Sequence, residues 1–115
     1  MKILITESQY NKIMEGYVNF PVDDDTALEV WEDENKIELL SIIIPKSLRG
    51  KGIGSDTVEM VCDYADEKQK PVYLTPDTSF GGTSIDRLKK FYRRFGFMKN
   101  DNYEVKHSMV RYPML

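Results

Sequence analysis

The chain of 115 residues contains a single cysteine, Cys62, and a single histidine, His107. One thiol cannot close an internal disulfide, and one thiol with one imidazole cannot assemble a zinc cluster, so no structural metal is expected. Without a disulfide framework, a reducing cytoplasm is the expected location. Long apolar runs are also missing. The longest, Leu39 to Pro45, is broken by Ser41 and falls far short of the ~20 residues that cross a bilayer, so no membrane partner is expected. The first residues, Met1-Lys2-Ile3-Leu4-Ile5-Thr6-Glu7, turn polar before a signal-peptide apolar region could form.

What is present fits a globular protein. Hydrophobic residues make up 41% of the chain and charged residues 30%, which excludes a disordered or fibrous class. The length suits one domain, 1–115, with one core. The net charge of −3 is unevenly spread: residues 1–45 hold three Lys against ten acids, a net of −7, while residues 46–115 hold thirteen bases against nine acids, a net of +4. An anion would prefer the second part and a cation the first, although two differently solvated surfaces would give the same pattern.

Periodicity sets out the elements. Lys2 to Thr6 alternates like a short strand, and Thr6-Glu7-Ser8-Gln9 has capping-box spacing for a helix through Glu15 that Gly16 would end. Pro21-Val22-Asp23-Asp24-Asp25 is a loop. Thr26 to Glu32 reads as a strand with Leu28 and Val30 on one face, and Asp33-Glu34-Asn35-Lys36 as a hairpin connection. Ile37 to Ile44 is apolar nearly throughout, as expected of a central strand buried on both faces. Val58, Val61, Cys62 and Ala65 recur at helical spacing, and that helix must end before Pro71. Val72 to Thr75 is a short strand, followed by a loop through Gly81-Gly82. Ser84 can cap a helix in which Ile85, Leu88, Tyr92 and Phe95 share a face, with Gly96 as its left-handed stop. Phe97 to Lys99 and Glu104 to Tyr112 read as strands around Asn100-Asp101-Asn102. The order predicts an α/β fold with a mixed, mostly antiparallel central sheet flanked by helices.

The stretch Arg49-Gly50-Lys51-Gly52-Ile53-Gly54 joins the apolar strand to the helix beginning near Ser55. Glycines let backbone N–H groups approach an anion without Cβ obstruction, and the open amides and dipole of the following helix attract it. Two common ligand motifs fail here. No Lys is followed by Ser or Thr at nucleotide P-loop spacing, and the last glycine of a dinucleotide fingerprint counted from Gly50 and Gly52 falls on Ser55. An Arg-x-x-Gly-x-Gly turn remains, which by itself reads either as a phosphate site or as a basic turn.

About forty residues downstream lies Phe91-Tyr92-Arg93-Arg94-Phe95-Gly96-Phe97. Core packing accounts for Phe91 and Phe95, and a helix cap for Gly96, but neither needs the phenol of Tyr92. With both motifs in place, the chain from Ile37 to Pro113 resembles the GNAT superfamily of acyl-CoA-dependent N-acetyltransferases. The resemblance rests on strand-Arg-x-x-Gly-x-Gly-helix, Tyr-x-x-x-Gly-Phe at Tyr92 to Phe97, and a final strand with Met109 and Arg111. The loop from Leu74-Thr75-Pro76 to Gly81-Gly82, followed by Leu-Lys-Lys-Phe-Tyr, also resembles small phage-encoded members.

The resemblance implies a GNAT-like fold with acetyl-CoA as acyl donor and no metal. Arg49, Gly50, Lys51, Gly52, Ile53, Gly54 and Ser55 would hold its pyrophosphate. Backbone groups of Ile42, Ile43 and Ile44 would pair with the pantetheine amides as an added strand would, in a V-shaped opening between that strand and Val72 to Thr75. Tyr92 would protonate the departing thiolate, since a phenol with a reference pKa near ~10 stays protonated at neutral pH. Glu38 would take the amine proton directly or through water; its other reading is a solvated strand-end carboxylate. Asp77 and His107 are weaker base candidates, His107 being expected to make a structural hydrogen bond or to face solvent. Cys62 falls on the apolar helix face and reads as core.

The chain departs from the family in having one short helix before residue 26 where two are usual, so the N-terminal part is shortened and the acceptor groove expected to be open. That suits a protein lysine more easily than an enclosed metabolite, with polyamines and aminoglycosides as further cationic acceptors. Two other classes remain: a catalytically inactive GNAT-like module that recognises a protein partner, and a nucleic-acid binder using Arg87, Lys89, Lys90, Arg93 and Arg94. The acidic overall charge and core spacing of the aromatics oppose the last. Both a monomer and a homodimer are compatible with the sequence.

Overall fold

The computed structural model describes residues 15–78 and 83–114. The strand expected at 2–6, the helix after it and Gly81-Gly82 lie outside the described residues; Gly16, expected to stop that helix, opens strand β1. Among the described residues the elements are β1 (Gly16–Tyr17), β2 (Ala27–Glu32), β3 (Ile37–Ile43), a 3-10 turn (Lys46–Leu48), α1 (Ile53–Lys68), β4 (Val72–Leu74), α2 (Ile85–Arg93), β5 (Met98–Lys99) and β6 (Met109–Arg111). The strands form one sheet in the order β1-β2-β3-β4-β6-β5. Only β3 and β4 run parallel. A parallel neighbour requires a crossover, which α1 supplies.

Alternation along the strands separates the two faces of the sheet. Leu28 and Val30 of β2, Ile37 and Leu39 of β3, and Val72 and Leu74 of β4 pack with Val58, Val61, Cys62 and Ala65 of α1. Tyr92, Phe97 and Met109 join the same core. Glu38 and Tyr73, one residue out of step, therefore belong to the face away from α1.

The buried carboxylate of Glu32 is compensated on the α1 side. Lys70 Nζ lies 2.8 Å from it, and the Tyr64 hydroxyl donates a further hydrogen bond. Lys70 also donates to the Asp33 carbonyl at 2.8 Å, so one ammonium ties the end of α1 to the β2–β3 hairpin. The hairpin is closed by Asp33, whose carboxylate accepts from the Asn35 and Lys36 amides at 2.8 and 3.0 Å.

A second ion pair holds the same end of α1. Arg111, buried in β6, makes two bonds to Asp66 of α1 at 2.8 and 3.0 Å and donates Nε to the Phe95 carbonyl at 2.7 Å. One planar guanidinium thus joins α1, β6 and the segment after α2. The final strand is shorter than its sequence predicts. Residues 104–108 form a loop because Asn100 Nδ2 donates to the carbonyls of Asn102, Val105 and His107 at 3.2, 3.1 and 2.8 Å. These carbonyls bond a side chain where a strand would bond its neighbour.

Candidate active site

The sheet opens between β3 and β4. Their ladder has three rungs, Ile37↔Val72, Glu38↔Tyr73 and Leu39↔Leu74. Immediately beyond, β3 is bulged: Val30 faces Leu39 and Glu29 faces Ser41, which leaves Leu40 as the extra residue. On the other side β4 stops at Leu74, and Pro76 has no N–H with which to continue. From Ser41 to Ile43, β3 pairs among the described residues with β2 alone. The expected strand buried on both faces is thus only half realised, and Ile42, Ile43 and Ile44 are partly exposed because they border a cleft.

The cleft has a volume of about 850 Å³, within the range of small-molecule sites. One end is the glycine turn. Gly50 and Gly52 have φ of 80° and 79°, a left-handed conformation that suits glycine. Gly52 is the N-cap of α1, and the first helical bond runs from the Asp56 amide to the Gly52 carbonyl at 3.0 Å. The amides of Ile53, Gly54 and Ser55 therefore precede the helical ladder at the positive end of the helix. A Cβ placed on Gly54 would lie 3.0 Å from Ile44 Cδ1. This lets the helix start sit directly against the end of β3. Arg49 Nε donates to the Ile44 carbonyl at 3.0 Å, which fastens the turn to the same strand.

Tyr92 forms part of the opposite wall. Its ring is held edge-on between Phe91 and Phe97, with centroids 5.2 and 5.7 Å away. Burial raises its pKa above the ordinary phenol value, so it is a proton donor at neutral pH. Among the described residues its hydroxyl has no hydrogen-bond partner. A phenol at the wall of a cleft, with no acceptor among the described residues, is available to a ligand atom.

Of the residues singled out in the sequence, Ile42, Ile43, Ile44, Arg49, Gly50, Gly52, Ile53, Gly54, Ser55, Asp77 and Tyr92 line this one cleft. Lys51 and Glu38 are not among its lining residues. Lys51 is exposed on the turn. Glu38 lies on the sheet face away from α1 and bonds His107 Nε2 at 2.9 Å. His107 Nδ1 in turn lies 3.0 Å from Thr75 Oγ1, and Thr75 does line the cleft. Sequence reasoning missed Glu29 and Phe91 as lining residues, and of the basic residues Arg87, Lys89, Lys90, Arg93 and Arg94 the cleft is lined by Arg87. The helical spacing of Arg87, Phe91 and Tyr92 carried a signal for one side of α2; Thr75 was placed at the edge of the expected opening, and the sequence carried no sign of its bond to His107.

The cleft spans both faces of the sheet: the glycine turn and Tyr92 lie on the α1 side, Glu29, Ser41 and Thr75 on the other. Glu29, Ser41 and Ile43 also border a second hollow with Phe20, Thr26 and Leu28. There Thr26 Oγ1 is buried without a hydrogen-bond partner among the described residues. Among those residues no helix is long and apolar enough to cross a membrane, and no group of acidic, His or Cys side chains is placed to hold a metal.

A sequence model of the acetyltransferase (GNAT) family matches residues 11–97. No curated protein sequence shows a match. Among solved structures, the anti-CRISPR protein AcrVA5 superposes with a TM-score of 0.64 at 19% identity, over 84% of this chain and 96% of that one. A protein assigned to the GNAT acetyltransferases, from Bacteroides thetaiotaomicron, matches with a TM-score of 0.56 and 19% identity, over 82% of this chain and 60% of its own. Another assigned as an acetyltransferase, from Agrobacterium tumefaciens, gives 0.57 and 14%, over 96% and 92%. At these identities the structural likeness establishes the fold.

Proposed function

The chain belongs to the GNAT acetyltransferase family, and from that premise we propose that it transfers an acetyl group from acetyl-CoA to a primary amine in a ternary complex. The observation that carries this reading is the cleft itself. An anion-suited helix start, a strand edge without a neighbour and a buried phenol converge on one opening through the sheet.

The residues present fit the donor. Gly50 to Ser55 offer backbone amides to a pyrophosphate. The edge of β3 at Ile42 to Ile44 offers backbone partners to an extended chain of amides. Arg87, at the cleft wall, adds a cation from α2. Lys51 contributes charge near the turn.

Transfer requires a neutral amine to attack the thioester carbonyl and a proton to reach the departing sulfur. Tyr92 supplies that proton. The amine approaches from the other face of the sheet, where Glu29 places a carboxylate at the cleft and Glu38 provides the site towards which the amine proton moves. The acidic balance of residues 1–45 favours a cationic acceptor. An opening shared with the hollow at Thr26 suits a lysine presented on a protein surface.

Incubation with isotopically labelled acetyl-CoA, a set of lysine-bearing proteins, spermidine and an aminoglycoside, followed by mass spectrometry, tests the reading. Labelled acetyl on an amine, dependent on Tyr92, is the expected result. Acetyl-CoA binding with no acetylated amine would favour the second reading, a binding module that keeps the cofactor fold.

A further inference from the structure

We propose that Thr75, His107 and Glu38 form a relay that carries the proton from the acceptor ammonium to the face of the sheet away from α1. The inference rests on the acetyl-transfer reading and adds to it a route and two residues. Its basis is a continuous chain of side chains from three separate elements. Thr75 follows β4 at the cleft, His107 precedes β6, and Glu38 stands in β3.

With an ionised carboxylate and a neutral imidazole, the donor and acceptor inventory sets the direction of each bond. An ionised carboxylate only accepts, so His107 Nε2 must carry the proton in its 2.9 Å bond to Glu38 Oε1. In the neutral ring Nδ1 then has a lone pair, and the 3.0 Å contact is a hydrogen bond donated by Thr75 Oγ1. Thr75 Oγ1 also accepts the Ser108 amide at 3.3 Å. One lone pair remains on this hydroxyl, beside the cleft. A protonated amine, or a water bound to it, can donate there.

The proton balance closes without another reactant. An R–NH3+ acceptor gives one proton to Thr75 Oγ1 while the Thr75 hydroxyl proton moves to His107 Nδ1. The products are R–NH2, an unchanged threonine and an imidazolium paired with the Glu38 carboxylate. His107 then releases that proton to solvent, to which its side chain is 16% exposed. Attack by R–NH2 on the thioester forms the amide bond and breaks the carbon–sulfur bond. Sulfur leaves with the Tyr92 proton, and the second amine proton returns to the phenolate. Glu38 acts through His107, which explains how a carboxylate outside the cleft lining can serve the reaction.

The relay is needed because a lysine amine, with a reference pKa of ~10.4, is only about one part in a thousand unprotonated near pH 7.4. Glu38 is the carboxylate bonded to His107, and Lys36 lies within electrostatic reach of Glu38 and of Tyr73 on the same sheet face. Asp33 raises the Lys36 pKa through a hydrogen bond, so Lys36 stays cationic through the relevant pH range.

The test combines kinetics with a measurement that needs no turnover. His107→Gln and Thr75→Val should lower kcat/KM for an N-acetyl-lysine amide and for spermidine about 10²-fold at pH 7, with acetyl-CoA affinity unchanged. The deficit should shrink as pH approaches the acceptor pKa, and Thr75→Ser should retain most activity. Because the chain has one histidine, its nitrogen-15 spectrum should show a single Nε2–H tautomer whose Nδ1 resonance moves in Thr75→Val. An Nδ1–H tautomer, or a deficit constant with pH, would overturn the relay. Wild-type turnover with unaffected variants would overturn the relay alone. Acetyl-CoA binding without acetylation of either amine would overturn the transfer reading and the relay with it.

Discussion

Leu39 and Leu74 form the last rung between β3 and β4, and the cleft begins where their pairing ends. The bulge at Leu40 and the proline at 76 act on opposite sides of that rung, so neither strand can extend the ladder. Opening the sheet there exposes a run of isoleucines and brings the start of α1, Tyr92 and Thr75 to a common space.

The phenol of Tyr92 should matter for transfer and little for binding. Tyr92→Phe keeps the ring packed against Phe91 and Phe97 and removes only the proton donor. Turnover should fall about 10²-fold while acetyl-CoA affinity changes little, measured by steady-state kinetics beside calorimetric titration. Since burial raises the Tyr92 pKa, the fall in rate caused by its ionisation should lie above pH ~10.

Gly52 tests the turn. Its φ of 79° is disfavoured for any residue with a Cβ, so Gly52→Ala should cost about 1–2 kcal/mol of folding stability in denaturant melts. Open space surrounds its Cβ position, so the cost arises from backbone conformation. Weakened acetyl-CoA binding should accompany it as the amides of α1 tilt.

Arg111 and Asp66 should govern stability in acid. The hydrogen bond from Arg111 holds the Asp66 carboxyl below the usual carboxylate range. A depressed folded-state pKa means that the contribution is fully present above the unfolded value of ~3.9 and is lost as pH falls through the folded value. Arg111→Met should cost roughly 3 kcal/mol and remove that acid-side dependence, read from urea melts between pH 2 and 6.

Cys62 should be inert in the folded protein. Burial pushes its thiol up to about 11, and it is 4% exposed. Alkylation by iodoacetamide at pH 8 should proceed only in denaturant, as mass spectrometry of the intact chain would show.

The helices and their ends were legible in the sequence because their signals are local. Val58, Val61, Cys62 and Ala65 lie buried in α1 as their spacing requires, the Ser84 hydroxyl accepts the Arg87 amide at 3.2 Å, and Gly96 takes a φ of 97°. The run Ile37 to Ile44 was ambiguous, since isoleucines read alike whether a neighbour strand or a cleft lies beside them. The Glu38–His107 bond joins residues 69 apart in sequence, and no periodicity announces such a contact. His107 was expected to make a structural hydrogen bond or to face solvent; it bonds Glu38 in β3 and Thr75 just after β4.

The central claim is that the cleft between β3 and β4 holds acetyl-CoA, and thermal unfolding with and without this ligand tests it most directly. A ligand that binds only the folded chain at 100 times its Kd adds about 2.7 kcal/mol of apparent stability. The account predicts a rise in melting temperature at saturating acetyl-CoA that Gly52→Ala reduces and Cys62→Ser leaves intact. An unchanged melting temperature at saturation would contradict it.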